Sequence, residues 1–79
     1  MIQNNKMIVF TNGCFDLLHK GHKDLLNKAS SYGDILIVGI NSDRSVKSIK
    51  GKNRPIENEV TRIDKLSKLG CVDHVIIFD

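Results

Sequence analysis

The sequence predicts an α/β domain in which a three-stranded parallel sheet carries flanking helices. Three largely apolar runs occur along the chain, at residues 6–11, 35–40 and 73–78. Amphipathic segments at residues 20–32 and 58–69 separate these runs. Strands that alternate with helices are typical of βαβ crossovers. We therefore expect the strand order 3-2-1, which is one half of a doubly wound, Rossmann-like sheet.

The first strand and the first helix follow from the apolar pattern. Residues 7–10, Met-Ile-Val-Phe, contain no polar residue, which is typical of a parallel strand that is buried on both faces. Further on, apolar residues recur at spacings of three and four, which predicts the buried stripe of a helix. That stripe consists of Leu18, His22, Leu25, Leu26 and Ala29. Gly33 is expected to end the helix in a left-handed conformation.

The rest of the chain supplies the second and third strands and the second helix. Residues 34–40 predict the second strand, and residues 41–44 have the composition of a turn. Residues 45–56 are basic and irregular. Asn58 is the predicted N-cap of the second helix, with Glu59 in its first turn. The buried stripe and the end of that helix are assigned to Val60, Ile63, Leu66, Leu69 and Gly70.

Length and composition indicate one small domain, residues 1–79. The net charge is +3 and aromatic residues make up 5% of the chain, without tryptophan. A nucleic-acid-binding surface usually joins clustered basic residues to aromatic ones, so we expect no nucleic-acid partner. The first residues, MIQNNK, show no signal peptide, and no apolar run is long enough to span a membrane. Cys14 and Cys71 lack a metal-binding spacing, and we expect a reduced, cytoplasmic protein.

The stretch TNGCFDLLHKGH, residues 11–22, is the candidate site. It follows the first strand, and the carboxyl ends of parallel strands are where α/β sheets bind ligands. Gly13 permits a close backbone approach. His22 lies in the first turn of the predicted helix, where free N–H groups favour an anion, and His19 lies three residues earlier. Two imidazoles beside a helix N-terminus predict a phosphate cradle.

Other interpretations of these residues stay open at this point. A histidine pair at this spacing is often structural or solvated, and it is a metal site only if Asp16 contributes a ligand. Asp16 alone also fits a surface turn, Cys14 fits a small turn residue, and residues 47–54 fit a solvated loop. The GxGxxG and Walker phosphate-binding patterns are absent.

The order of strand, turn, aspartate and histidine pair resembles the nucleotidyltransferase superfamily with the HxGH motif, here His19-Lys20-Gly21-His22. The resemblance covers residues 7–79. It is strongest to the adenylyltransferase domains of ADP-heptose synthases, through TNGCFDLLHKGH, GDILIVGINSD, SIKGKNRPI and CVDHVIIFD. Glycerol-3-phosphate cytidylyltransferases are similar through the same histidine motif.

The resemblance implies transfer of AMP from ATP to a sugar 1-phosphate, such as heptose 1-phosphate, with release of pyrophosphate. It implies catalytic roles for His19, His22 and Lys50. It also implies that nucleotide is bound by Thr11, Asn12, Gly13, Cys14, Phe15, Asp16, His19, His22 and Arg62. Asp16 is expected to orient a histidine or a magnesium-bound water. The implied cofactor is Mg²⁺ carried by ATP, whereas Lys47 and Lys52 are expected to be solvated.

The resemblance extends to the N-terminal half of such a domain only. A late Ser/Thr-rich phosphate-binding segment of the family has no counterpart among the 79 residues. We therefore expect a partial nucleotidyltransferase domain that does not catalyse transfer alone. Its expected partner is a second copy or a complementing C-terminal half, which pairs along the exposed edge of the first strand. The alternative is a non-catalytic, truncated nucleotide-binding module.

Overall fold

The computed structural model describes residues 6–79, and these residues form a three-stranded parallel sheet with helices. The elements, in chain order, are β1 (Ile8–Gly13), α1 (Lys20–Ser30), β2 (Ile35–Asn41), α2 (Asp43–Lys50), α3 (Glu59–Ser67) and β3 (His74–Phe78). The strand order is β1-β2-β3. The predicted α/β class and the predicted order 3-2-1 are confirmed. Residues 1–5, where the sequence predicts no signal peptide, lie outside the described residues.

The parallel register brings the carboxyl ends of the strands to one edge of the sheet. Gly13, the last residue of β1, is aligned with Ile40 of β2, and Asn41 of β2 is aligned with Phe78 of β3. The loop that follows β1 therefore lies beside the start of α2. Neighbouring loops at this edge can contribute side chains to a common site.

The core lies on one face of the sheet. Alternate residues of β2, namely Leu36, Val38 and Ile40, are at most 1% exposed. They pack with Leu26 of α1 and Leu66 of α3. Complete burial of an aliphatic side chain stabilises a fold by about 1.5–3 kcal/mol, so these contacts hold both helices to the same face.

The opposite face of the sheet is not covered by the described residues. Ile8 and Phe10 of β1 are 59% and 53% exposed, and Ile76 of β3 is 47% exposed. Gly39 of β2 lies on this face between the rings of Phe10 and Phe78. A Cβ added at Gly39 would be 2.9 Å from the Phe10 ring and 3.2 Å from the Phe78 ring. The prediction that the first strand is buried on both faces is therefore wrong, because α1 and α3 pack on one side.

Helix α2 was not predicted by the sequence pattern. The sequence predicts a turn at residues 41–44 and an irregular segment at residues 45–56, but Asp43–Lys50 is helical. Ser42 is its N-cap, because the Ser42 hydroxyl accepts a hydrogen bond from the backbone N–H of Ser45 at 3.1 Å. The basic loop is therefore confined to the residues between Lys50 and α3.

Two further details of the helices differ from the prediction. The sequence predicts that Leu25 and Val60 are buried, but they are 52% and 72% exposed, and α3 buries Arg62 together with the predicted Leu66. Gly33 does not have a positive φ. It is required because an added Cβ would lie 2.8 Å from the Met7 carbonyl oxygen. Within residues 6–79, no helix combines the length and apolar character needed to cross a membrane.

Candidate phosphate-binding site

His19 and His22 form the start of helix α1. His19 is the N-cap, and its Nδ1 accepts a hydrogen bond from the Gly21 backbone N–H at 3.0 Å. His22 Nδ1 accepts from the His19 backbone N–H at 3.2 Å. The two rings are stacked, with 3.9 Å between their centroids. The HxGH motif therefore acts locally as a helix cap that fixes both imidazoles.

These backbone contacts determine the tautomer of each neutral imidazole. A ring nitrogen that accepts a hydrogen bond carries no proton, so the proton of each neutral ring lies on Nε2. His19 and His22 thus each have one Nε2–H group that the capping bonds do not use. Two imidazole N–H donors beside free backbone N–H groups suit an anion such as phosphate.

Lys50 adds positive charge close to this pair. Burial lowers the pKa of His22 from its ordinary value of 6.5, and the positive charges of His19 and Lys50 lower it further. Lys50 is the last residue of α2, and Gly51 follows with a φ of 106°, a conformation that favours glycine. The structure thus joins His19 to His22 directly, and the charge of Lys50 acts on His22. The catalytic role of Lys50 stays a prediction.

The turn between β1 and α1 has an unusual backbone. Phe15 and Leu17 have φ values of 50° and 57°, which residues other than glycine rarely adopt. Such residues cost roughly 1–3 kcal/mol each and persist where surrounding contacts hold them, commonly at functional sites. Phe15 is held by burial, and its ring meets the His22 ring edge to face at 5.3 Å.

Asp16 is buried in the same turn and is bound by residues about forty positions later. Its carboxylate accepts hydrogen bonds from Arg54 Nε at 2.7 Å, from the Ile56 N–H at 2.8 Å and from the Glu57 N–H at 2.9 Å. Burial alone would raise the pKa of Asp16. The two backbone N–H groups and Arg54 outweigh burial and lower that pKa to about 2. Asp16 thus binds the loop before α3 and does not orient a histidine. Its contact with nucleotide or with a magnesium-bound water stays a prediction.

Arg62 is 1% exposed, and its guanidinium binds the protein itself. Nη1 donates to the carbonyl oxygens of Cys14 at 2.9 Å and Asn41 at 2.7 Å. Nε donates to the Glu57 carbonyl at 3.0 Å, and Nη2 donates to Asp43 Oδ1 at 2.8 Å. These contacts join four chain segments at the carboxyl edge of the sheet. They argue against the phosphate-binding role that the resemblance implies for Arg62.

The remaining predicted nucleotide-binding residues lie at the end of β1. Thr11, Asn12 and Gly13 belong to the strand, and Cys14 follows it. Gly13 lies under the Phe15 ring, because an added Cβ would be 3.0 Å from that ring. Their contact with nucleotide through backbone groups stays a prediction.

Sequence reasoning did not single out Arg54 as a functional residue. It was read as one member of a basic loop, but its position is fixed by Asp16. Among the described residues, no three His, Cys, Asp or Glu side chains converge as a metal site would require.

A Rossmann-like parallel sheet with an HxGH histidine pair at its carboxyl edge is the architecture of a nucleotidyltransferase domain. A family model described as Cytidylyltransferase-like matches residues 10–79. The chain belongs to this family, as the resemblance predicted.

The relatives are much longer than this chain. The bifunctional protein HldE of Helicobacter pylori (strain G27) is 60% identical over 76 residues, which are 96% of this chain and 16% of the relative. The bifunctional protein HldE of Geobacter metallireducens is 58% identical over 74 residues, or 94% of this chain and 15% of the relative.

A solved structure has the same fold. The lipopolysaccharide core biosynthesis protein from Thermoplasma volcanium GSS1 superimposes with a TM-score of 0.84 at 30% sequence identity. The match covers 95% of this chain and 60% of that protein.

Proposed function

We propose that this chain forms the phosphate-binding part of a nucleotidyltransferase that transfers AMP from ATP to a sugar 1-phosphate, with heptose 1-phosphate as the preferred acceptor. The observation that carries the proposal is the stacked His19–His22 pair, whose Nδ1 atoms are bound to the backbone. Membership of the cytidylyltransferase-like family and similarity to HldE proteins support the reaction class and the acceptor.

In the proposed reaction, an oxygen of the sugar phosphate attacks the α-phosphorus of ATP. The bond between that phosphorus and the bridging oxygen breaks, and pyrophosphate leaves with the electron pair. Because the attacking phosphate is already ionised, the reaction needs charge stabilisation and positioning more than proton transfer. The Nε2–H groups of His19 and His22, together with the Lys50 ammonium, would supply donors to the phosphate oxygens.

Mg²⁺ belongs to the nucleotide in this proposal, because the described residues hold no cluster of three or more metal-binding side chains. It would add charge neutralisation at the phosphates. A cytoplasmic location is part of the proposal, since the proposed substrate is ATP. The chain spans about 16% of the first HldE relative, so catalysis by these residues alone is not part of the proposal.

A second candidate is transfer of CMP from CTP to glycerol 3-phosphate. The observation that favours it is the match to a family described as cytidylyltransferase-like. The two candidates differ in the base and in the acceptor, so a comparison of ATP with CTP separates them.

Nucleotide binding tests the proposal directly. We would titrate ATP and CTP by calorimetry into the wild-type chain, His19→Ala and His22→Ala, with His74→Ala as the control. His74 is an exposed histidine at the start of β3 and is not part of the site. We expect ATP to bind, each site variant to weaken binding by about 10-fold or more, and the control to leave it unchanged. Equal affinity in all four proteins would refute the role of the histidine pair.

Turnover is a separate measurement. Pyrophosphate release from ATP with heptose 1-phosphate would be assayed for the chain alone and with the remaining part of an HldE relative supplied in trans. We expect release only in the second case. In that complemented enzyme, either histidine variant should lower kcat by about 10²–10³-fold, as loss of a transition-state donor does.

A further inference from the structure

Arg54 lies in the loop between α2 and α3, and only part of its guanidinium is bound. Nε donates to Asp16 Oδ2 at 2.7 Å. Within residues 6–79, Nη1 and Nη2 have no hydrogen-bond partner, and neither is buried. The Arg54 side chain is 34% exposed, whereas the Asp16 side chain is 0% exposed. One edge of the guanidinium is therefore fixed inside the protein, and the other is open to solvent.

The position of Arg54 is set by the same turn that carries the histidines. Asp16 lies next to Phe15, whose ring contacts His22, and three residues before His19. Besides Arg54, the Asp16 carboxylate binds the N–H groups of Ile56 and Glu57. This arrangement fastens the loop to the turn that leads into α1, next to the residue whose ring contacts His22.

We propose that Arg54 is an anion-binding residue of the histidine site, that it binds a phosphate group of the nucleotide through Nη1 and Nη2, and that Asp16 is its positioning residue. The proposal rests on the proposed function for the identity of the ligand. Nη1 and Nη2 form a planar fork that matches two oxygens of a phosphate group.

Arg54 suits this task better than the lysines around it. Lys47 and Lys52 are exposed, and no described residue holds either side chain. A free lysine loses rotamer entropy when a ligand fixes it. Arg54 has lost part of that freedom already, because Asp16 holds it before any ligand arrives.

The test is a titration with inorganic pyrophosphate, followed through the Arg54 Nε–H resonance by NMR and by calorimetry. The variants are Arg54→Ala and Lys52→Ala, a matched control that removes one positive charge from the same loop. We expect Arg54→Ala to raise the Kd by about 10-fold or more, since charge-assisted hydrogen bonds are lost. Lys52→Ala should raise it by less than about 3-fold, since an exposed charge is screened by salt. Equal Kd values for the two variants would overturn the proposal.

A second comparison tests the positioning role of Asp16. Asp16→Asn keeps the shape of the side chain but removes its charge, and we expect it to weaken pyrophosphate binding as Arg54→Ala does. The double variant should bind no more weakly than either single variant, because the two residues act as one unit. Additive losses would refute positioning of Arg54 by Asp16.

Hydrogen exchange separates binding from folding. In Arg54→Ala, the Ile56 and Glu57 amides should stay protected, because Asp16 still accepts their hydrogen bonds. Loss of that protection would mean that Arg54 maintains the loop rather than binds the anion, and would overturn the proposal.

An ATP titration of the same variants distinguishes this inference from the proposed function. Pyrophosphate binding at Arg54 without ATP binding would refute the proposed function and uphold the inference. If ATP binds equally well to the wild type and to Arg54→Ala, the inference is refuted and the proposed function is upheld. If the chain binds neither ligand, both are refuted.

Discussion

His19 and His22 hold each other in place at the start of α1. Their rings are stacked at 3.9 Å, and the His19 backbone N–H binds His22 Nδ1 at 3.2 Å. Protonation of His22 would break that hydrogen bond and place a positive charge near Lys50. The structure therefore favours the neutral form of His22, whose pKa is lowered by burial and by the charges of His19 and Lys50.

This relationship predicts a loss of stability in mild acid. Well above pH 6.5, His22 is neutral in both the folded and the unfolded chain, so its protonation does not change the free energy of unfolding. As the pH falls below 6.5, the unfolded chain binds a proton more readily than the folded chain, and stability falls. Urea midpoints from pH 8 to pH 5 should show this fall in the wild type and less of it in His22→Gln. His74→Gln should behave as the wild type, and an unchanged pH dependence in His22→Gln would contradict the prediction.

Gly21 separates the two histidines for a steric reason. A Cβ at this position would lie 2.9 Å from Cε1 and 3.1 Å from Nδ1 of His19. Gly21→Ala should therefore displace the His19 ring and weaken ATP binding. The melting temperature should not fall, because alanine is favoured over glycine in a helix by about 1 kcal/mol. Gly70→Ala is the control, since an added Cβ there meets nothing within 4 Å. ATP binding that survives Gly21→Ala would show that the position of the His19 ring is unimportant.

The strands, the helices α1 and α3 and the histidine pair could be predicted because their signals are local. Continuous apolar runs marked the three strands, and spacings of three and four marked the two helices. Helix α2 was missed because it is short and polar, and only Val46 is buried. Ser42 and Asp43 suit a turn as well as the start of a helix, so local residue types did not decide between the two.

The roles of the buried charged residues depend on contacts between distant parts of the chain. Asp16 binds residues 38 to 41 positions later, and Arg62 binds Cys14, 48 positions earlier. Because no periodic pattern encodes such contacts, α3 was predicted to bury Val60, whereas the structure buries Arg62. Three carbonyl groups and one carboxylate at the edge of the sheet make burial of Arg62 favourable.

Asp16 should make the protein sensitive to strong acid. Its pKa is about 2 in the folded chain, compared with an ordinary value of 3.8, so its stabilising contribution is complete above pH 5. That contribution is lost as the pH falls through 3.8 towards 2, and it amounts to about 2–3 kcal/mol. Urea unfolding between pH 6 and pH 2 should show this loss in the wild type and not in Asp16→Asn. Asp24→Asn, in an exposed pair with Lys20, should keep the wild-type profile. A wild-type profile in Asp16→Asn would refute the assignment.

We expect Arg62 to stabilise the fold rather than to bind the ligand. Arg62→Ala leaves the carbonyls of Cys14, Asn41 and Glu57 without their donor, and it leaves Asp43 without its cation. A buried carbonyl left without its donor costs about 1–3 kcal/mol, and three carbonyls are affected, so we expect the variant to be largely unfolded by circular dichroism. Arg62→Lys keeps the charge but not the planar fork, and its stability should be intermediate. A stable Arg62→Ala protein that has lost ATP binding would instead support the phosphate-binding role.

The exposed edge of β1 should cause self-association. In the described chain β1 pairs with β2 only, and Ile8 and Phe10 are more than half exposed on the uncovered face. An edge strand with unpaired N–H and C=O groups and apolar side chains is a template for pairing with a second chain. Sedimentation velocity should therefore show a mass that rises with protein concentration.

Ile8→Lys should reduce this association, because a charge on an edge strand opposes pairing. Val60→Lys adds the same charge at an apolar residue of α3 that is also more than half exposed, and it should associate as the wild type does. If the wild type is a monomer at every concentration, or if the two variants behave alike, the edge of β1 is not the surface that associates.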